Sequence, residues 1–102
     1  MEFRIIKSPS KGAVDMLMRR SGASGISKDS IRIDAVGLVQ GKMIEMICAA
    51  DIAEKAVDVT VEDIRGSCPQ NMIMIAIFGD TASVESAIRE IKRNFKKGKD
   101  LC

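Results

Sequence analysis

Residues 57–78 read "VDVTVEDIRGSCPQNMIMIAIF". The first eight alternate. Val57, Val59 and Val61 point one way and Asp58, Thr60 and Glu62 the other, the spacing of a half-buried strand. "RGSCPQN" follows, with the glycine, proline and asparagine of a turn. "MIMIAIF" (72–78) is then apolar at every position. Such a strand is either central in its sheet or has one face in an interface. The two strands follow each other with no helix between them, so the sheet is mixed or mainly antiparallel.

Reading outward, strands and helices alternate. "IRIDAVGLVQ" (31–40) reads as a strand, with Gly37 marking a bulge or a close backbone approach. "GKMIEMICAADIAEKA" (41–56) reads as a helix whose apolar face carries Met43, Ile44, Ile47, Ala50, Ala53 and Ala56. Cys48 and Ala49 widen that face beyond what one sheet needs. After "GD", Asp80 or Thr81 caps a last helix with the stripe Val84, Ala87, Ile88, Ile91 and Phe95, and Glu85 and Arg89 stand one turn apart. At the other end, "EFRIIKS" (2–8) is a short strand. "SPSKGAVDMLMRR" (8–20) is a helix capped by Ser8, with Pro9 at its first position, or by Ser10. Its face holds Val14, Leu17 and Met18. "SGASGISKDS" (21–30) is a loop. The expected fold is α+β, in the order β-α-β-α-β-β-α, with the helices covering one face of the sheet.

Size agrees with one domain, residues 1–102. Apolar residues make up 46% of the chain, and the only aromatics are Phe3, Phe78 and Phe95. A net charge of +2 is too small to point to nucleic acid, and the one basic cluster, "KRNFKKGKDLC" (92–102), reads as a helix end. No stretch nears the ~20 apolar residues of a membrane span, and "MEFRIIKSPSKG" lacks the apolar run of a secretion signal. Cys48, Cys68 and Cys102 are odd in number, widely spaced and without a CxxC pair. That argues against a zinc site or a disulfide framework and fits a reducing cytoplasm.

Chemistry is hard to find. The chain has no histidine, hence no triad or proton shuttle of the usual kind. Asp58, Glu62, Asp63 and Glu85 fall at positions expected to be exposed. Neither GxGxxG nor GxxxxGK[ST] occurs, and "SGASG" follows a helix and precedes a strand, the reverse of a phosphate-binding turn. Cys68 is the one candidate nucleophile, with Arg65 near enough in sequence to favour its thiolate, yet no base accompanies it. No enzyme and no cofactor emerge. What remains is a small domain with surplus apolar surface, which points to assembly.

Three segments together carry a resemblance. "IDAVGLVQGKMIEMICAADIAEKAVDVTV" (33–61) resembles the opening strand and helix of bacterial microcompartment shell domains, with their "AAD-A-KAA" helix. "MIAIFGDTASVESAIREI" (74–91) resembles the family's later strand, "GD" turn and helix. "FRIIKSPSKGAVDML" (3–17) resembles its final strand and helix, of "HVI-RPH" type, here placed first. That displaced order is the mark of the circularly permuted subfamily of ethanolamine-, propanediol- and choline-type compartments.

The resemblance implies a ferredoxin-like, permuted shell domain forming flat cyclic homohexamers. These tile with neighbouring hexamers and other shell proteins, around a pore that passes small metabolites. It places the loop Ile64, Arg65, Gly66, Ser67, Cys68, Pro69, Gln70 and Asn71 near the six-fold axis. Lys55 falls at the hexamer edge, for lateral packing. The arginine that usually partners that lysine is replaced by "KSPS" (7–10), and the family's glycine-serine-glycine pore loop by "RGSCPQN" (65–71). Around such an axis six Arg65 form a positive collar. Six Cys68 thiols stay free, pair as disulfides, or ligate a metal or an iron–sulfur cluster. Two other readings compete: a dimeric regulatory domain of ferredoxin-like topology that binds a small molecule, and an enzyme using Cys68.

Overall fold

The computed structural model of the chain describes residues 1–21, 33–66 and 72–96. Its elements are β1 (Glu2–Lys7), α1 (Lys11–Arg20), β2 (Ala35–Lys42), α2 (Met43–Ala56), β3 (Thr60–Ile64), β4 (Met72–Gly79) and α3 (Thr81–Lys96). The order is the one read from the sequence. One four-stranded sheet runs β1-β2-β4-β3, and all its pairings are antiparallel. The strand β4 is interior, paired with β2 on one side and β3 on the other, and Ile75, Ala76, Ile77 and Phe78 are all buried. The unbroken apolar run thus has its explanation in coverage of both faces.

That coverage differs from the one-sided arrangement expected. Successive residues of a strand face opposite ways. Ile75 and Ile77 of β4 join Val39, Met46, Ile52, Val84, Ile88 and Ile91 in a core under α2 and α3. Ala76 and Phe78 join Val36, Ile64 and Leu17 of α1 in a second core. The helix α1 therefore lies on the opposite face from α2 and α3. A central strand apolar on both faces requires cover on both, and α1 supplies the second.

The helix starts follow local chemistry. Ser10, not Ser8, caps α1, its Oγ accepting from the Ala13 N–H at 3.2 Å. Ser8 takes a positive φ of 49° at the strand-to-helix corner, and its N–H donates to the Asp34 carbonyl at 2.8 Å. Asp80 caps α3, with Oδ1 accepting from the Ser83 N–H at 2.8 Å. The α2 start lies two residues later than read, because Gly41 and Lys42 still pair with β4. Glu45 then accepts the Lys42 N–H at 3.0 Å. The strand β3 is shorter than its alternating pattern. Thr60 already pairs with Phe78, and β4 ends one residue further on at Gly79, so Val57 and Asp58 have no strand to join. Val57 instead closes α2, donating to the Ala53 carbonyl at 3.3 Å.

Gly37 is a close-approach glycine. A Cβ there would lie 3.1 Å from side-chain carbons of Val84 and Ile88 on α3. On α3, Glu85 meets Lys7 of β1 at 3.8 Å rather than Arg89, the partner read from helical spacing.

Candidate functional site

Of the loop singled out in the sequence, Ile64, Arg65 and Gly66 are described, while Ser67, Cys68, Pro69, Gln70 and Asn71 lie outside the described residues. Its stem is held from two sides. Ile64 is buried at the end of β3 and pairs with Met74 of β4. On its other side it forms an antiparallel bridge with Ser21, just past α1. The Arg65 N–H donates to the Arg20 carbonyl at 2.7 Å, and Arg20 Nη1 reaches the Arg65 carbonyl at 3.5 Å.

Below this stem, the Ser21 hydroxyl donates to Glu62 Oε1 at 2.7 Å. Glu62 is buried, contrary to the exposure expected from its outward place in the alternation. The reason is α1, which covers the face that the alternation leaves polar. A buried carboxylate requires a donor, and Ser21 is one. No sequence signal reveals this pairing, because it depends on where α1 docks.

Lys55 is exposed on α2 and pairs with Asp51 at 2.9 Å, one turn back. It borders a shallow notch of about 240 Å³ between α2 and α3, together with Glu90 and Asn94. Lys7, at the head of "KSPS", pairs with Glu85 of α3.

The inward face of α2 is only partly the one expected: Ala53 is buried and Ala50 packs against the core, but Met43, Ile44, Ile47 and Ala56 do not. Met46, Ala49, Ile52 and Ala53 are buried. Met43, Ile44 and Ile47 stand out in solvent at 51%, 73% and 63% exposure. A helix apolar around most of its circumference gives no periodic signal for which side meets the sheet. Beside these residues runs an open groove of about 370 Å³. Met43 and Ile47 line one side, Val61 and Ile73 the other, and Glu54 and Asp63 are its charged members.

Among the described residues, no three His, Cys, Asp or Glu side chains cluster as metal ligands. Among the same residues, no helix is long and apolar enough to cross a membrane. Cys48 is half-buried and disulfide-bonded; Cys68 and Cys102 lie outside the described residues. A disulfide at Cys48 departs from the free thiols that the reducing reading of the three cysteines implies.

Residues 35–102 match the model of the BMC domain family. Among solved structures, the chain is similar to the ligand-free GrpU microcompartment shell protein from Clostridiales bacterium 1_7_47FAA. Identity is 56% and the TM-score 0.74, over 96% of this chain and 95% of that one. It is also similar to the ligand-free GrpU microcompartment shell protein from Pectobacterium wasabiae, with 33% identity and a TM-score of 0.72, over 89% of this chain and 99% of that one. No curated protein matches.

Proposed function

The chain belongs to the BMC-domain family of microcompartment shell proteins, and from that premise we propose that it forms cyclic homohexamers that tile a bacterial microcompartment shell in the cytoplasm. The observation that carries the assembly is the exposed apolar face of α2. Full burial of a Met or Ile side chain contributes about 1.5–3 kcal/mol. Met43, Ile44 and Ile47 leave much of that unrealised in a single copy. Patches of this kind mark interaction surfaces.

In the ring, the loop Ile64–Asn71 lines a central opening for small metabolites, and Lys55 packs at the edge against neighbouring hexamers or other shell proteins. The permuted reading is supported by the family match, which begins at residue 35 and leaves β1 and α1 ahead of it. The role is structural rather than enzymatic. A dimeric regulatory domain would need convergent polar groups in its cleft. The α2 groove offers an apolar lining with only Glu54 and Asp63 as charged members, which favours assembly.

Electron microscopy of the purified chain at rising concentration tests the tiling. The expected outcome is sheets or tubes of hexagonal units, with Lys55→Ala reduced to dispersed rings. Particles that never associate laterally would contradict it, and loss of the ring itself in Lys55→Ala would contradict the edge role.

A further inference from the structure

We propose that Cys48 and Cys102 form a reversible disulfide clasp, which anchors residues 97–102 to α2 and makes subunit stability depend on redox state. The clasp is a property of one copy and does not depend on the ring. Cys48 is half-buried in the second turn of α2 and is disulfide-bonded. The chain has two other cysteines, Cys68 and Cys102. The two flanks of α2 distinguish between them.

Cys48, Asp51, Ile52 and Lys55 stand at i, i+3, i+4 and i+7, hence on one stripe of the helix. Asp51, Ile52 and Lys55 border the notch whose opposite wall is Glu90 and Asn94 of α3. Cys48 therefore belongs to the flank that faces α3. The strand β3, from which the chain leads on to Cys68, lies along the other flank. There Met43, Ile47 and Glu54 share the groove with Val61 of β3.

Direction agrees with side. The strands β2 and β4 are antiparallel, with Lys42 beside Met72 and Ala35 beside Gly79. The helix α2 starts where β2 ends, and α3 starts where β4 ends, at the opposite end of the sheet. The helix α3 thus runs back toward the end at which α2 begins. Asn94 already borders the notch with Asp51, and Cys48 lies about one turn nearer that end. The stretch from Lys96 to Cys102 can span up to about 20 Å.

Closure takes two electrons and two protons from the thiols and passes them to a small-molecule disulfide such as oxidised glutathione. One cysteine thiolate attacks that disulfide and releases a first small thiol. The other displaces the second small thiol from the mixed disulfide. A small dithiol reverses both steps. A bond across the long loop from residue 48 to residue 102 restricts the unfolded chain, so the folded one gains stability.

Tryptic mapping tests the pairing. The purified chain is equilibrated with oxidised glutathione, denatured, alkylated at its remaining thiols and digested without reduction. Cleavage after lysine and arginine puts the three cysteines in separate peptides, 43–55, 66–89 and 100–102. The expected product is 43–55 joined to 100–102, from a species that runs as a single chain on a non-reducing gel. Linkage of 43–55 to 66–89, a bond between two copies, or 43–55 recovered without a partner peptide would each overturn the proposal. None of these outcomes bears on whether rings form.

Melting gives an independent reading. Oxidation should raise the Tm of the parent chain and of Cys68→Ser by at least about 5 °C over the reduced form. It should leave Cys48→Ser and Cys102→Ser where they were. A rise that survives Cys102→Ser, or no rise in the parent chain, would overturn the clasp.

Discussion

The helices α2 and α3 lie on the same face of one sheet and share one core, yet they are built differently. In α3, Val84, Ala87, Ile88 and Ile91 are buried, and Arg89, Lys92, Arg93 and Lys96 are exposed. Its sequence names its inner face correctly because it has only one partner. In α2, the buried residues Met46, Ala49, Ile52 and Ala53 stand opposite an equally apolar outer set, Met43, Ile44 and Ile47. One copy of the chain covers only the first of these sides, and under the proposed assembly further copies cover the second.

The sharpest break in the comparison is a pair of truncations, measured where copies are separate. Ile91→Ala removes a fully buried side chain from α3 and should destabilise the subunit by about 2–5 kcal/mol. Ile47→Ser on the outside of α2 should change subunit stability by no more than about 0.5 kcal/mol while weakening assembly. Denaturant titration and native mass spectrometry read the two effects separately. Equal losses of subunit stability would erase the distinction between the helices.

A second test sharpens how tightly α3 is seated. Gly37→Val places methyl groups where even a Cβ is already 3.1 Å from Val84 and Ile88. Overpacking of this kind costs about 1–3 kcal/mol. A melting temperature unchanged from that of the parent chain would show that α3 moves aside freely. The smallest effect concerns the entry to α3. Asp80→Ala removes the cap on the Ser83 N–H and should cost about 1 kcal/mol, read by the same titration. A loss above that of Ile91→Ala would mean that Asp80 does more than cap the helix.

The same contrast explains what could be read from the residues. Element order was legible because turn and cap signals divide the chain into segments of strand or helix length, and "MIMIAIF", apolar on both sides, left β4 either central or with one face in an interface; the structure makes it central. Gly37 was legible as a bulge or a close approach, and the contacts to Val84 and Ile88 decide for the second. The placement of α1 was not, since Leu17 and Met18 give it an apolar face without saying which side of the sheet receives it.

One misreading and one omission follow from that. Glu62 looked like a solvent-facing member of an alternating strand, and it became a buried acceptor for Ser21 once α1 covered that side. The stem of the loop at Ile64 and Arg65 is tied to Arg20 and Ser21, a link across the fold that no local pattern encodes. For α2 the sequence signalled surplus apolar surface correctly and placed Ala50 and Ala53 inward, but it also assigned to that face Met43, Ile44, Ile47 and Ala56, which are exposed. Which side faces inward is decided by the sheet it docks on, not by the helix itself.

The central claim is that the outer face of α2 is covered by further copies of the same chain in a closed ring. A native mass spectrum of the purified, unmodified chain at micromolar concentration tests it most directly. The account predicts one dominant species at six times the 11.1 kDa subunit mass. A folded monomer, or a dimer that does not grow with concentration, would contradict it.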